Sequence, residues 1–259
     1  MTSRSAAIPR VLVSVFVTLA AAGCSPQPPP RDAVSGRQDE AAYLSPPAVD
    51  LVSSPAGSLE LTGRATPGAR VQLARPGGGG LSTQADPGGR WRIRAPASAA
   101  PLIFGLSQTS QGRTIQADGY VFHSPVVGGW VLRAGAASRP LGGAPPQALV
   151  VDSDRSGGTV VSGQGPRDTL LVAQIDGRRA GEGGTGPSGR YEIRLKGPVP
   201  MGESRLRIFG AGLNRETVLR LSPPKAPVDG PFRVLPQAAG LRVDWITPGG
   251  GLQSTQILY

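Results

Sequence analysis

Along much of this chain apolar and polar residues alternate one for one. In "RWRIR", Trp91 and Ile93 share one face while Arg90, Arg92 and Arg94 share the other. "RVQLA" puts Val71 and Leu73 inward around an outward Gln72, and "YEIRL" turns Tyr191, Ile193 and Leu195 inward. A period of two is what a half-buried β-strand requires. "ADPGG" and "TGPSG", just before two of these runs, supply Pro and Gly where a tight turn needs a fixed or positive φ. Beyond the N-terminus no long apolar stripe follows helical spacing, so the pattern predicts an all-β protein.

The pattern is also written twice. "AVDLVSSPAGSLELTGRATPGARVQL" aligns without a gap on "ALVVDSDRSGGTVVSGQGPRDTLLVA" at an offset of 100. Gly57 falls on Gly157, Gly63 on Gly163, Gly89 on Gly189, Trp91 on Tyr191 and Ile93 on Ile193. After a small insertion, "IFG" at Ile103 answers "IFG" at Ile208. Internal self-similarity of this kind marks two copies of one fold. About seven short strands per copy with regular turn signals fit a β-sandwich.

The first copy resembles bacterial Ig-like modules of surface proteins and adhesins. Gly63, Ala65, Pro67, Gly68 and Val71 match their strand-turn-strand motif, and Ala85, Asp86, Gly89 and Trp91 match the turn-strand after it. In the second copy Arg167-Asp168 replaces Pro67-Gly68, and Gly186 replaces Asp86. The resemblance implies a spacer or binding module and names no ligand.

The N-terminus carries a different signal. "MTSRSAAIPR" is a short basic region, and "VLVSVFVTLAAA" is an apolar run too short to span a bilayer comfortably. "AAGC" then sets small residues before Cys24, the only cysteine. This resembles the lipobox of bacterial lipoproteins, with Ala21 where that family usually has Leu. The resemblance implies cleavage before Cys24, lipidation of its thiol and a membrane anchor. With Ser25 after the cysteine, it further implies the outer membrane if the cell has one. The following "SPQPPPRD" reads as a disordered tether.

The expected organisation is therefore a signal peptide over 1–23 and a lipidated Cys24 with Pro-rich tether over 24–44. Ig-like domains follow over 45–124 and 147–223, joined by a linker with strand-like character over 125–146. The last segment, 224–259, reads as a β-hairpin: Leu241, Val243 and Trp245 alternate with Arg242 and Asp244, and "PGGG" makes a bend. A lone hairpin is marginal in water, so this one is expected to extend a sheet edge of the second sandwich.

Composition narrows the chemistry. Gly 38 and Pro 27 make up about a quarter of the 259 residues, which favours turns. The net charge of +10 comes almost wholly from Arg, with no polybasic run. The outward row Arg90, Arg92 and Arg94, partly echoed by Arg190 and Arg194, is the candidate ligand-binding feature. Guanidinium groups repeated along one strand face suit an acidic glycan, a lipid phosphate or an acidic partner. No aromatic platform lies between them, which argues against nucleic acid.

Other candidates are weaker. His123 is the only histidine, and no nucleophile-elbow sequence surrounds any serine. "DSDRSGG" sets Asp152 and Asp154 in the spacing of a calcium-loop opening, but Gly163 stands where the bidentate Glu belongs. "PGGGG" and "GEGGTG" lack the Lys-Ser/Thr of a phosphate loop. The reading is a non-catalytic cell-envelope lipoprotein without cofactor: structural, adhesive or protein-interacting, with an envelope protein or acidic glycan as partner. The second reading is a glycan-binding, lipid-phosphate-binding or envelope-assembly accessory using the Arg face or the loops.

Overall fold

The computed structural model describes residues 44–55 and 57–259. The expected signal peptide, Cys24 and nearly all of the expected tether lie outside the described residues. The first repeat folds into β1 (Ala48–Ser53), β2 (Ser58–Arg64), β3 (Arg70–Ala74), β4 (Gly80–Gln84), β5 (Arg90–Pro96), β6 (Leu102–Ser110) and β7 (Arg113–Ser124). Then come β8 (Gly128–Leu132) and the short β9 (Arg139–Pro140). The second repeat gives β10 (Leu149–Asp154), β11 (Thr159–Gln164), β12 (Leu170–Ile175), β13 (Arg178–Gly184), β14 (Arg190–Arg194), β15 (Gly202–Gly210) and β16 (Leu213–Leu221). The chain closes with β17 (Phe232–Gln237), β18 (Gly240–Ile246) and β19 (Leu252–Leu258).

The described residues are all-β, and the two repeats are two Ig-like sandwiches. In the first, β1-β2-β5 faces β4-β3-β6-β7; in the second, β10-β11-β14 faces β13-β12-β15-β16. The fourth strand has crossed to pair with the third, unlike the constant-type immunoglobulin, where it stays with the first sheet. Alternation in the sequence becomes burial here: β5 is buried at Trp91, Ile93 and Ala95 and exposed at each residue between. The divergent turn keeps its shape, because Asp168 adopts the same left-handed φ, 51°, that Gly68 adopts at 71°.

Each sandwich has one sheet extended, and the two extensions differ. β8 and β9 add to β7 in the first; β19, β18 and β17 add to β10 in the second. The C-terminal segment thus extends a sheet edge of the second sandwich, as a three-stranded meander with β17 as the extra member. The resulting six-stranded sheets pack against each other. Phe122, Trp130 and Leu132 of one sheet meet Val150, Val243, Trp245 and Ile257 of the other in a third core. Tyr120 meets Trp245 edge-on at 5.8 Å, and Phe122 meets Phe232 at 6.1 Å. Four sheets therefore stack around three cores, with the copies sharing the middle one.

Candidate functional site on the first sandwich

The outer face of β1-β2-β5 is where the arginine row stands. Cross-strand register places Arg94 opposite Glu60, Arg92 opposite Thr62 and Arg90 opposite Arg64. Arg94 donates to Glu60 Oε2 at 2.8 Å, and Arg92 Nε lies 3.5 Å from Glu60 Oε1. The Arg94 hydrogen bond pulls Glu60 below the usual carboxylate range, opposed by partial desolvation and helped by the charges of Arg92 and Arg94. Arg64 is held by Asp50 at 2.9 Å. Among the described residues Arg90 has no ion-pair partner. The face thus offers Arg90 unpaired, with Arg92 and Arg94 sharing one carboxylate.

A cleft of about 750 Å³ opens beside this row. Thr83 and Gln84 of β4 line one wall, while Arg90 and Arg92 of β5 and Thr62 of β2 line the other. Asp86 shapes the turn between β4 and β5: its carboxylate accepts from the Gly88 and Arg90 amides at 2.9 and 2.8 Å. The spacing of Arg90, Arg92 and Arg94 is visible in the sequence, whereas Glu60, Arg64 and Asp50 become their neighbours only through strand register.

The echo in the second copy is used differently. Arg194 donates to the Gly135 carbonyl at 2.9 Å, tying β14 to the segment between the sandwiches. Arg190 is partly buried, and desolvation with the nearby charge of Arg139 lowers its pKa. Glu192 stands where the first copy has Arg92.

The two aspartates considered for a cation take separate tasks. Asp152 is buried between the sandwiches and accepts from Ser138 N and Oγ at 2.7 Å, Thr255 Oγ1 at 2.6 Å and Gln253 Nε2 at 3.4 Å. Burial raises its pKa more than these bonds lower it, leaving it at about 6. Asp154 caps its own turn, accepting from the Ser156 and Gly158 amides.

His123 is nearly buried on β7, with Nε2 3.2 Å from Ser54 Oγ. Its Nδ1 has no hydrogen-bond partner, so the carboxylate that orients a triad histidine is absent among the described residues. Desolvation lowers its pKa and keeps the ring neutral near pH 7.

No family model matches the chain, and no curated protein matches it. Among solved structures it is similar to the "Central Fibronectin-III array of RIM-binding protein", with 16% identity, a TM-score of 0.28 and coverage of 79% of this chain and 72% of that one. It is also similar to "Biofilm associated protein - BSP domain", with 10% identity and a TM-score of 0.25, covering 71% of this chain and 30% of that one.

Proposed function

We propose that this protein is a non-catalytic cell-envelope lipoprotein. A lipid on Cys24 anchors it, and the paired sandwiches serve as a structural, adhesive or protein-interaction body. The observation that carries this reading is the shared middle core. Trp130 and Trp245 are fully buried in it, and the segment between the sandwiches is fixed by Asp152 instead of swinging free. A body of this kind presents its outer sheets at a fixed spacing, which suits display and binding. The basic "MTSRSAAIPR", the apolar run and "AAGC" support the anchor, and Ser25 supports the outer membrane as its destination.

Fractionation with and without globomycin tests the anchor. Wild type is expected in the membrane fraction, and both Cys24→Ser and the treated wild type should remain unprocessed or become soluble. Unchanged processing and partition of Cys24→Ser would remove the anchor from this reading.

The second reading keeps the envelope location but gives the Arg face a glycan or lipid-phosphate ligand. The unpaired Arg90 beside the cleft favours it.

A further inference from the structure

The two sandwiches differ at one seam, the gap between the fourth and fifth strands of each copy. In the second copy backbone contacts cross the seam at both ends of β14. The Lys196 amide donates to the Ala180 carbonyl at 2.6 Å, and Thr185 bridges to Tyr191. Gly181 and Gly183 permit this approach: a Cβ on them would stand 2.8 Å from the Arg194 carbonyl oxygen and 2.6 Å from that of Glu192.

At the offset of 100 the first copy has Leu81, Thr83 and Pro96 in place of Gly181, Gly183 and Lys196. Leu81 and Thr83 carry side chains where close backbone contact needs none, and Pro96 has no N–H to donate. The first seam lacks the amide bond and the bridge that cross the second, so β5, a terminal strand of its sheet as β14 is of its own, has its edge uncovered beyond the turn.

The turn shows which groups face that edge. Arg90 accepts from the Asp86 amide through its carbonyl at 2.8 Å, and its own N–H goes to the Asp86 carboxylate. Because backbone direction alternates along a strand, the N–H and C=O of Arg92 and Arg94 point the same way. Neither residue's backbone has a backbone partner there among the described residues. Their side chains are 63% and 69% exposed, and the cleft beside Arg90 and Arg92 reaches Thr83 and Gln84 across the turn end of the seam. An unpaired strand edge bearing three outward arginines matches one kind of occupant by hydrogen bonding and by charge.

We propose that the open seam between β4 and β5 binds an extended acidic segment of a protein partner. The segment adds as a strand on β5, its main chain bonds Arg92 and Arg94, and its carboxylates pair with Arg90, Arg92 and Arg94. This deepens the protein-interaction reading above and rests on it only for the existence of a partner; peptide binding is independent of the anchor.

The probe is a fluorescein-labelled decapeptide alternating Glu and Thr, titrated by anisotropy against the whole protein in detergent micelles. Binding is expected to weaken as salt rises. It should weaken about tenfold or more in Arg90→Gln/Arg92→Gln/Arg94→Gln, which removes the charges. The same peptide N-methylated at alternate amides should also lose about tenfold against the wild-type protein, because strand addition needs those N–H groups. Cys24→Ser should bind like wild type, which separates failure of this proposal from failure of the anchor. No binding, or equal binding of the N-methylated peptide, would overturn the proposal. So would retention of polygalacturonate without retention of the peptide, since it assigns the arginines to a glycan.

Discussion

Gly63 on β2 sits directly opposite Trp91 on β5, and a Cβ at Gly63 would lie 2.7 Å from the indole ring and 2.0 Å from the Ala48 carbonyl oxygen. The same pair recurs as Gly163 opposite Tyr191, where the added Cβ would meet the phenol ring, nearest at its hydroxyl, 2.6 Å away. In both copies a large aromatic lies across a strand neighbour that has no side chain. This explains why glycine and aromatic recur together at an offset of 100.

Gly63→Ala is therefore expected to destabilise the protein by about 3 kcal/mol or more, as overpacking against fixed backbone does. Gly163→Ala should cost less, because only the Tyr191 side chain has to move. Urea unfolding of the two variants checks the order; equal costs would contradict it.

The hydroxyl of Tyr191 is buried without a hydrogen-bond partner among the described residues. Tyr191→Phe removes that polar atom and keeps the ring. It is expected to be neutral or to stabilise by about 1 kcal/mol in thermal melts, since an unsatisfied buried group is unfavourable.

Asp244 is fully buried and joins Arg242 at 2.7 Å, Arg233 at 2.6 Å and the Lys225 amide at 3.1 Å. Burial alone would raise its pKa, but the Arg242 and Arg233 hydrogen bonds and the Lys225 amide outweigh this and lower it. Arg242 also donates to the Ser222 and Pro223 carbonyls, so the pair clamps the chain leaving β16 onto the C-terminal strands. Asp244→Ala strands a buried guanidinium and should cost about 3–5 kcal/mol. Arg242→Met/Asp244→Leu should lose much less. Denaturation of both variants measures the difference.

Asp152 gives a pH dependence of the opposite sense to an ordinary salt-bridged carboxylate. Its folded pKa, about 6, stands above the ordinary 3.8, so the native state holds its proton more tightly than the unfolded chain does. Its contribution is fully present below pH 4 and is lost as pH rises toward and through 6. Relative to Asp152→Asn, wild type should lose about 3 kcal/mol across that window and then level off. Unfolding free energies at several pH values follow it; a difference independent of pH would contradict the assignment.

Much of the fold was legible because strands with one wet face advertise their period. "RWRIR" and "YEIRL" lie on the outer layers, and their alternation mapped directly onto burial. The middle layers carry no such signal. β10 is buried at every residue from Leu149 to Ser153, and in β18 Arg242 and Asp244 are buried along with Leu241, Val243 and Trp245. A strand enclosed on both sides loses its period of two, so the third core was not visible as a pattern. The strand-like "VVGGWVL" at the head of the expected linker places Trp130 in that core. At the candidate site the arginines were readable from spacing. Glu60 and Asp50 were not, because only register brings them to β5 and β2.

The two sandwiches and their shared core form one body. Native-state hydrogen exchange followed by mass spectrometry tests this most directly. Peptides containing Leu59–Leu61 of the first core, Leu206–Ile208 of the second and Val243–Trp245 of the third should open with one common free energy and one denaturant dependence. Separate opening energies for the two sandwiches, with the Val243–Trp245 peptide exchanging before either, would instead show two independent domains.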